Sequence, residues 1–269
     1  MQYEKQKNIW KSFIIYTILF LMICILIKDK TNKGEMAWLL LQAYSLLISI
    51  KLLKKYKFPQ NKKILIAIIY TLIFSLSTIP YFGVYSIVSI LQFFIGICAV
   101  ISTFDNEKTN IKFFKEKTPK EIFKTIIIGI IFGLIFGAVN YMLMKNNNEI
   151  NHANILDAFL LSLSPALGEE ILYRTVFYAL IISTVKSNNK AKFTCWFMMM
   201  IPHIIPHTAV YFDANFINSL ITWPIYIILY AAIFGLIFTV LQKKRDITSA
   251  MIAHGIVDFI RFCIFGLPR

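Results

Sequence analysis

Apolar residues along this chain gather in long runs separated by short polar links. The runs lie near 10–27, 36–50, 63–79, 84–104, 122–144, 155–184, 192–209, 217–241 and 248–266. A helix needs about 20 apolar residues to cross a bilayer, and most of these runs approach that length. No sustained period-two alternation occurs, which excludes a β-barrel reading. The pattern predicts an all-α, polytopic transmembrane helical bundle of nine spans. The count falls to eight if 63–79 and 84–104 merge into a re-entrant hairpin. The second run is short, and the sixth is long enough to be bent or broken.

The links orient the bundle. With the N-terminus cytoplasmic, the cytoplasmic segments carry 20 of the 28 Lys and Arg and the external loops carry 4. That is the positive-inside asymmetry of a membrane protein. It accounts for the net charge of +14 without nucleic acid, and no basic stripe carries the interleaved aromatics of a single-strand binder. The composition agrees: 58% hydrophobic residues, 16% charged and a mean hydropathy of +0.66, against roughly 25% charged in soluble domains. Cys24, Cys98, Cys195 and Cys263 lie in apolar runs without a CxxC pair and read as small buried hydrophobes. The N-terminal run resembles a signal sequence, but "KDKTNKGE" follows it in place of a small-residue cleavage site. It reads as an uncleaved first span. No repeat or inverted symmetry of a transporter is present.

Charges inside the spans divide the chain at about residue 150. The first five spans hold no ionisable residue near a centre. The last four hold Glu169, Glu170, Arg174, His203, His207, His254, Asp258 and Arg261. Each ionised group at bilayer depth costs roughly 2.5–3.5 kcal/mol on insertion scales, so these residues must face protein or a water-filled cavity. On α-helical spacing, Glu170 and Arg174 are i,i+4 and suited to an ion pair, and Glu169 points about 100° away. Left out of that pair, Glu169 is a candidate general base. The opposing reading is an inert buried network of all three. His203 and His207, in "IPHIIPH", are also i,i+4, the ligand spacing of a zinc HExxH motif without its glutamate. Pro202 and Pro206 remove helix hydrogen bonds and predict a kinked, opened helix. His254 and Asp258 are again i,i+4. Asp258 is placed to accept from one ring nitrogen and aim the other, unless the two merely hide each other. Ser164 and Pro165 resemble a helix start, as cap and first residue, and predict a break in the sixth run just before Glu169.

These residues spell three motifs in order: EExxxR at 169–174, a histidine 33 residues after Glu170, and HxxxD at 254–258. They resemble the CPBP family of intramembrane endopeptidases, which includes type II CAAX prenyl endopeptidases and bacterial Abi-type proteins. The resemblance covers roughly 150–266. It implies that Glu169 and a histidine of the second motif activate water, and that His254 and Asp258 stabilise the oxyanion. It implies supporting roles for Glu170 and Arg174, and His207 is expected to be a supporting residue as well. The family's second motif is usually FxxxH. Here Met199 precedes His203 by four, and His203 precedes His207 by four. The separations of 33 and 51 residues to Glu170 and His254 favour His203. The family's arginine is often followed by Gly, where this chain has Thr175. The resemblance implies a glutamate-dependent site without a cofactor or metal; zinc at the Glu/His cluster is the alternative.

The expected organisation is thus 1–149 as accessory spans and 150–269 as the catalytic core. The expected protein is an integral protein of a bacterial plasma membrane, in contact with the lipid bilayer and a peptide or protein substrate. His254 lies about 6 residues past a cytoplasmic helix start, about 9 Å deep at 1.5 Å per residue, so the site is expected to face the cytoplasm. Candidate substrates are a CAAX-type protein, a secreted-peptide precursor or a bacteriocin in self-immunity. A catalytically inactive scaffold binding a partner such as a sensor kinase is the competing reading, and a proton-relay transporter is a third.

Overall fold

The computed structural model describes residues 2–60, 62–146, 149–185, 189–213 and 215–268, with the side chains of Gln2, Tyr3, Lys5, Asn189 and Lys190 outside the description. Every described element is helical. The nine apolar runs become α1 (Gln2–Leu26), α2 (Lys30–Tyr56), α3 (Lys62–Leu76), α4 (Val84–Asn106) and α5 (Pro119–Met144). There follow α6 (Ile155–Leu163), a π-helical segment (Ser164–Thr175) and α7 (Val176–Thr184), then α8 (Asn189–His207). Last come α9 (Phe216–Tyr230), a π turn (Ala231–Gly235), α10 (Leu236–Lys244) and α11 (Ile247–Phe265). Six of the runs are long and apolar enough to cross a membrane as single helical stretches. The other three differ for local reasons. α3 has 15 residues, the sixth run carries Asp157, Glu169, Glu170 and Arg174, and α8 carries two prolines and two histidines.

Two compact units form. One comprises Met1–Phe58, Ala99–Lys108 and Leu172–Thr239; the other comprises Pro59–Cys98, Thr109–Ile171 and Val240–Arg269. Each therefore draws on both sides of residue 150, whereas the motifs lie on one side.

In the first unit α1 packs on α2 and α8, and α2 packs on α7 and α8. Aromatic rings fill these contacts. Tyr16 stacks on Tyr44 at 5.0 Å, and Phe20 stacks on Trp223 at 5.5 Å. α8 runs through both prolines without ending. The expected opening is absent because its main consequence is repaired. Pro206 lacks the N–H that Pro202 O would accept from, and the buried Tyr16 hydroxyl donates to that carbonyl at 3.0 Å.

In the second unit α11 lies along α5. Gly129, Gly133 and Gly137 present a smooth edge to it. A Cβ on Gly129 would meet Ile252 Cβ at 2.7 Å and Ser249 O at 3.0 Å. One on Gly133 would meet Ile256 Cβ at 2.7 Å, and one on Gly137 would meet Ile260 Cδ1 at 2.5 Å. Small residues permit this close backbone approach where apolar burial alone gives no drive between helices in lipid. Residue numbers rise together along both helices, so α5 and α11 run parallel. Both ends of α11 are tied. At its start the buried Asp246 caps Ser249 N at 2.8 Å and accepts from Thr125 Oγ1 at 2.6 Å and Lys115 N at 3.1 Å. Ile247 N and Thr248 N donate to Lys112 O and Phe113 O. At its end Gly266 takes φ +85°, and Asn151 N donates to Ile264 O at 3.0 Å.

Candidate functional site

The π segment is the local reason the glutamates sit where they do. Pro165 cannot supply the N–H that an α-helix would direct to Leu161 O, and Ser164 N–H goes to that carbonyl instead. The backbone then closes its bonds from i to i+5 over Ser164–Thr175. The expected break at Ser164–Pro165 is therefore a change of pitch, and Ser164 is helical rather than an N-cap. The change of pitch reaches the motif itself, since Glu169, Glu170 and Arg174 all lie inside the π segment. Long π stretches are rare and concentrate at functional sites. Gly168 makes room beside them: its Cβ would stand 3.0 Å from Phe74.

In the second unit Glu169, Glu170, Gln242, His254 and Asp258 gather around one imidazole. Glu170 is fully buried. Its Oε1 lies 2.7 Å from His254 Nδ1, and its Oε2 accepts from Gln242 Nε2 at 2.8 Å. His254 Nε2 faces Asp258 Oδ2 at 3.3 Å and Glu169 Oε2 at 3.6 Å. Asp258 Oδ1 is in turn 3.4 Å from Arg261 Nη1. The sequence assigned Asp258 to orient His254, with the other nitrogen left to aim. The geometry gives that orienting position, on Nδ1, to Glu170. Asp258 and Glu169 both stand at Nε2. The contribution of Gln242 was not legible from a motif. A glutamine within an apolar stretch was the available signal.

The remaining motif residues lie in the first unit. Arg174 is buried, with Nη2 3.1 Å from His203 Nδ1 and its guanidinium 5.3 Å over the Phe238 ring. His203 is buried too, and its ring packs against Tyr173 at 5.9 Å, Trp38 at 5.9 Å and His207 at 5.3 Å. His207 is half-buried, edge-on to Trp38 at 4.9 Å and stacked on Tyr230 at 6.0 Å. The expected Glu170–Arg174 ion pair joins residues of the two different units. Within its own unit each has the partner named above.

The partners discriminate between chemistries. A histidine that binds a metal donates its other ring N–H to a carboxylate, carbonyl or water. His203 has a guanidinium, a donor only, 3.1 Å from its Nδ1. His254, with Glu170 on Nδ1, has the partner that suits either a metal ligand or a hydrogen-bond donor to an oxyanion.

No curated protein and no solved structure matches this chain. One family model does, described as type II CAAX prenyl endopeptidase Rce1-like, over residues 151–260. That range holds every motif residue from Glu169 to Asp258, and the family implies a protease. Residues 151–260 of this integral membrane protein are thus similar to the Rce1-like type II CAAX prenyl endopeptidases.

Proposed function

We propose that this protein is a metal-free intramembrane endopeptidase that hydrolyses a peptide bond by glutamate-activated water. Its substrate is a membrane-associated protein of CAAX type or the precursor of a secreted peptide, reached from the cytoplasmic side. The observation that carries the reading is the His254 ring, with Glu170 2.7 Å from Nδ1 and Glu169 3.6 Å from Nε2. It brings a base and a donor to one place.

In the proposed reaction Glu169 takes a proton from water as the oxygen attacks the carbonyl carbon. The carbonyl oxygen becomes an oxyanion and accepts a hydrogen bond from His254 Nε2–H. Glu169 then passes its proton to the departing amine as the C–N bond breaks. Glu170 holds His254 in the donating orientation, as the third member of a catalytic triad does for its histidine. His203 is the second-motif histidine, favoured over His207 by its arginine partner.

The test is cleavage of a prenylated CAAX-type peptide and of its unprenylated form by protein purified into proteoliposomes. Glu169→Gln should abolish turnover with the variant still inserted and thermally intact. A variant that cleaves as well as the parent refutes the reading. A scaffold tolerates the change, and in that case the parent cleaves nothing either. One equivalent of zinc in the purified active protein would overturn the metal-free mechanism.

A further inference from the structure

α11 carries one more charge beyond the residues that surround His254. Arg261 follows His254 by seven residues, about two turns, and so lies on the same face of the helix, roughly 10 Å along its axis at 1.5 Å per residue. Asp258 stands between them, with Oδ2 3.3 Å from His254 Nε2 and Oδ1 3.4 Å from Arg261 Nη1. Exposure rises along this face: the side chains of His254, Asp258 and Arg261 are 9%, 12% and 37% exposed. The face therefore opens toward Arg261.

The Asp258 contact uses little of what this arginine offers. A guanidinium presents five N–H donors in a planar fork that fits a carboxylate bidentately. At 3.4 Å the contact is longer than the roughly 2.7–2.9 Å of a close charge-assisted bond. The guanidinium also rests over the Phe262 ring at 5.3 Å, and among the described residues Arg261 has no other polar side-chain partner.

Resting on the peptidase reading above, we propose that Arg261 determines specificity by binding the C-terminal carboxylate of a substrate cut three residues from its end. A CAAX-type chain ends in a prenylated cysteine, three further residues and a free carboxylate. Three extended residues span about 10 Å, the axial distance from His254 to Arg261. With the carbonyl oxygen of the cysteine at His254 Nε2, the carboxylate of the departing tripeptide reaches the guanidinium. Arg261 thus favours a chain terminus over the internal bond that a secreted-peptide precursor presents.

The experiment gives the full chain in proteoliposomes three prenylated CAAX-type peptides: one with a free terminal carboxylate, one with a terminal amide, and one with the carboxylate moved outward by two added residues. The parent should cleave the free acid about tenfold or more better in kcat/KM than either of the others, chiefly through KM. Equal cleavage of acid and amide, or of the lengthened peptide at the same bond, overturns the proposal. Arg261→Gln should erase the preference, the acid losing about tenfold more than the amide. Arg261→Lys, which keeps the charge without the fork, should retain part of it. If Arg261 only supports Asp258, the glutamine variant loses the same factor on both peptides, and the proposal fails. If that variant does not insert, the three peptides on the parent decide. Binding is read separately with fluorescent peptides on Glu169→Gln, which retains Arg261 and lacks the base. There the acid should bind about tenfold or more tighter than the amide, and adding Arg261→Gln should remove the difference. A parent that cleaves no peptide sinks the peptidase reading, and the binding arm then still decides for or against Arg261.

Discussion

Replacing Glu170 with glutamine isolates the interaction that aims His254. The side chains are nearly isosteric, so packing is kept and charge is lost. The carboxylate serves two donors at once: His254 Nδ1 at 2.7 Å and Gln242 Nε2 at 2.8 Å. A glutamine has one acceptor oxygen. Whichever way the amide turns, its NH2 faces a donor, and one bond is lost. A hydrogen bond to a charged group is worth about 1.5–3 kcal/mol. At 1.36 kcal/mol per decade this corresponds to about a 10- to 150-fold loss in kcat when the bond acts in the transition state. The assay is peptide cleavage in proteoliposomes, with thermal unfolding recorded on the same preparation. Glu170→Gln should lower kcat within that range. On a His254→Ala background it should cost almost nothing further, because the group it acts through is gone. Adding Gln242→Glu returns an acceptor opposite the new amide, so stability should recover and activity should not. Equal fold-losses on both backgrounds would show that Glu170 does not work through His254, and the account of the site would be wrong.

Other perturbations test the frame around the site. Gly133→Ala should destabilise the protein by about 1–3 kcal/mol through overpacking, because its Cβ meets Ile256 Cβ at 2.7 Å and Ala253 O at 3.1 Å. Gly137→Ala should be milder, because the atom it meets, Ile260 Cδ1, is the free end of a flexible side chain. Midpoints of thermal unfolding in detergent should rank them in that order, and the reverse order sinks the packing argument. Tyr16→Phe removes the donor to Pro202 O and should cost about 1–3 kcal/mol for a buried acceptor left bare. Pro206→Ala restores the helix N–H and should recover most of that loss; no recovery would mean that Tyr16 acts elsewhere. Asp246→Ala should cost more than the roughly 1 kcal/mol of an ordinary N-cap, because Asp246 also accepts from Thr125 and Lys115. Hydrogen exchange at Ser249 and its neighbours should rise with it.

The sequence announced the helices because apolar runs near bilayer length leave few other structures open. It also announced Glu169, Glu170, Arg174, His203, His254 and Asp258, because charge at that depth is costly enough to stand out. What it could not supply was pitch. An i,i+4 argument assumes an α-helix, and Ser164–Thr175 is π-helical, a change of pitch that the motif spacing does not announce. Glu170 faces His254 Nδ1, a contact across 84 residues that no local spacing could suggest, and Asp258 stands at Nε2 of the same ring. The prolines of α8 misled for a related reason: the lost N–H was visible in the sequence, but Tyr16, 186 residues away, was not visible as its substitute. The glycine edge of α5 was legible as glycine at every fourth position from 129 to 137, a pattern that carries no charge and so drew no notice.

That edge has a mate with the same period. Ile252, Ile256 and Ile260 on α11 recur every four residues, as Gly129, Gly133 and Gly137 do on α5. Two such combs fit in more than one register: sliding α11 by four residues, about 6 Å at 1.5 Å per residue, would still seat two isoleucines on two glycines. Apolar packing alone therefore leaves the depth of His254 nearly degenerate. The polar ties of Asp246 at one end and Asn151 at the other lift that degeneracy. Cutting both should produce a well-packed, helical protein whose His254 sits a full turn away from Glu170.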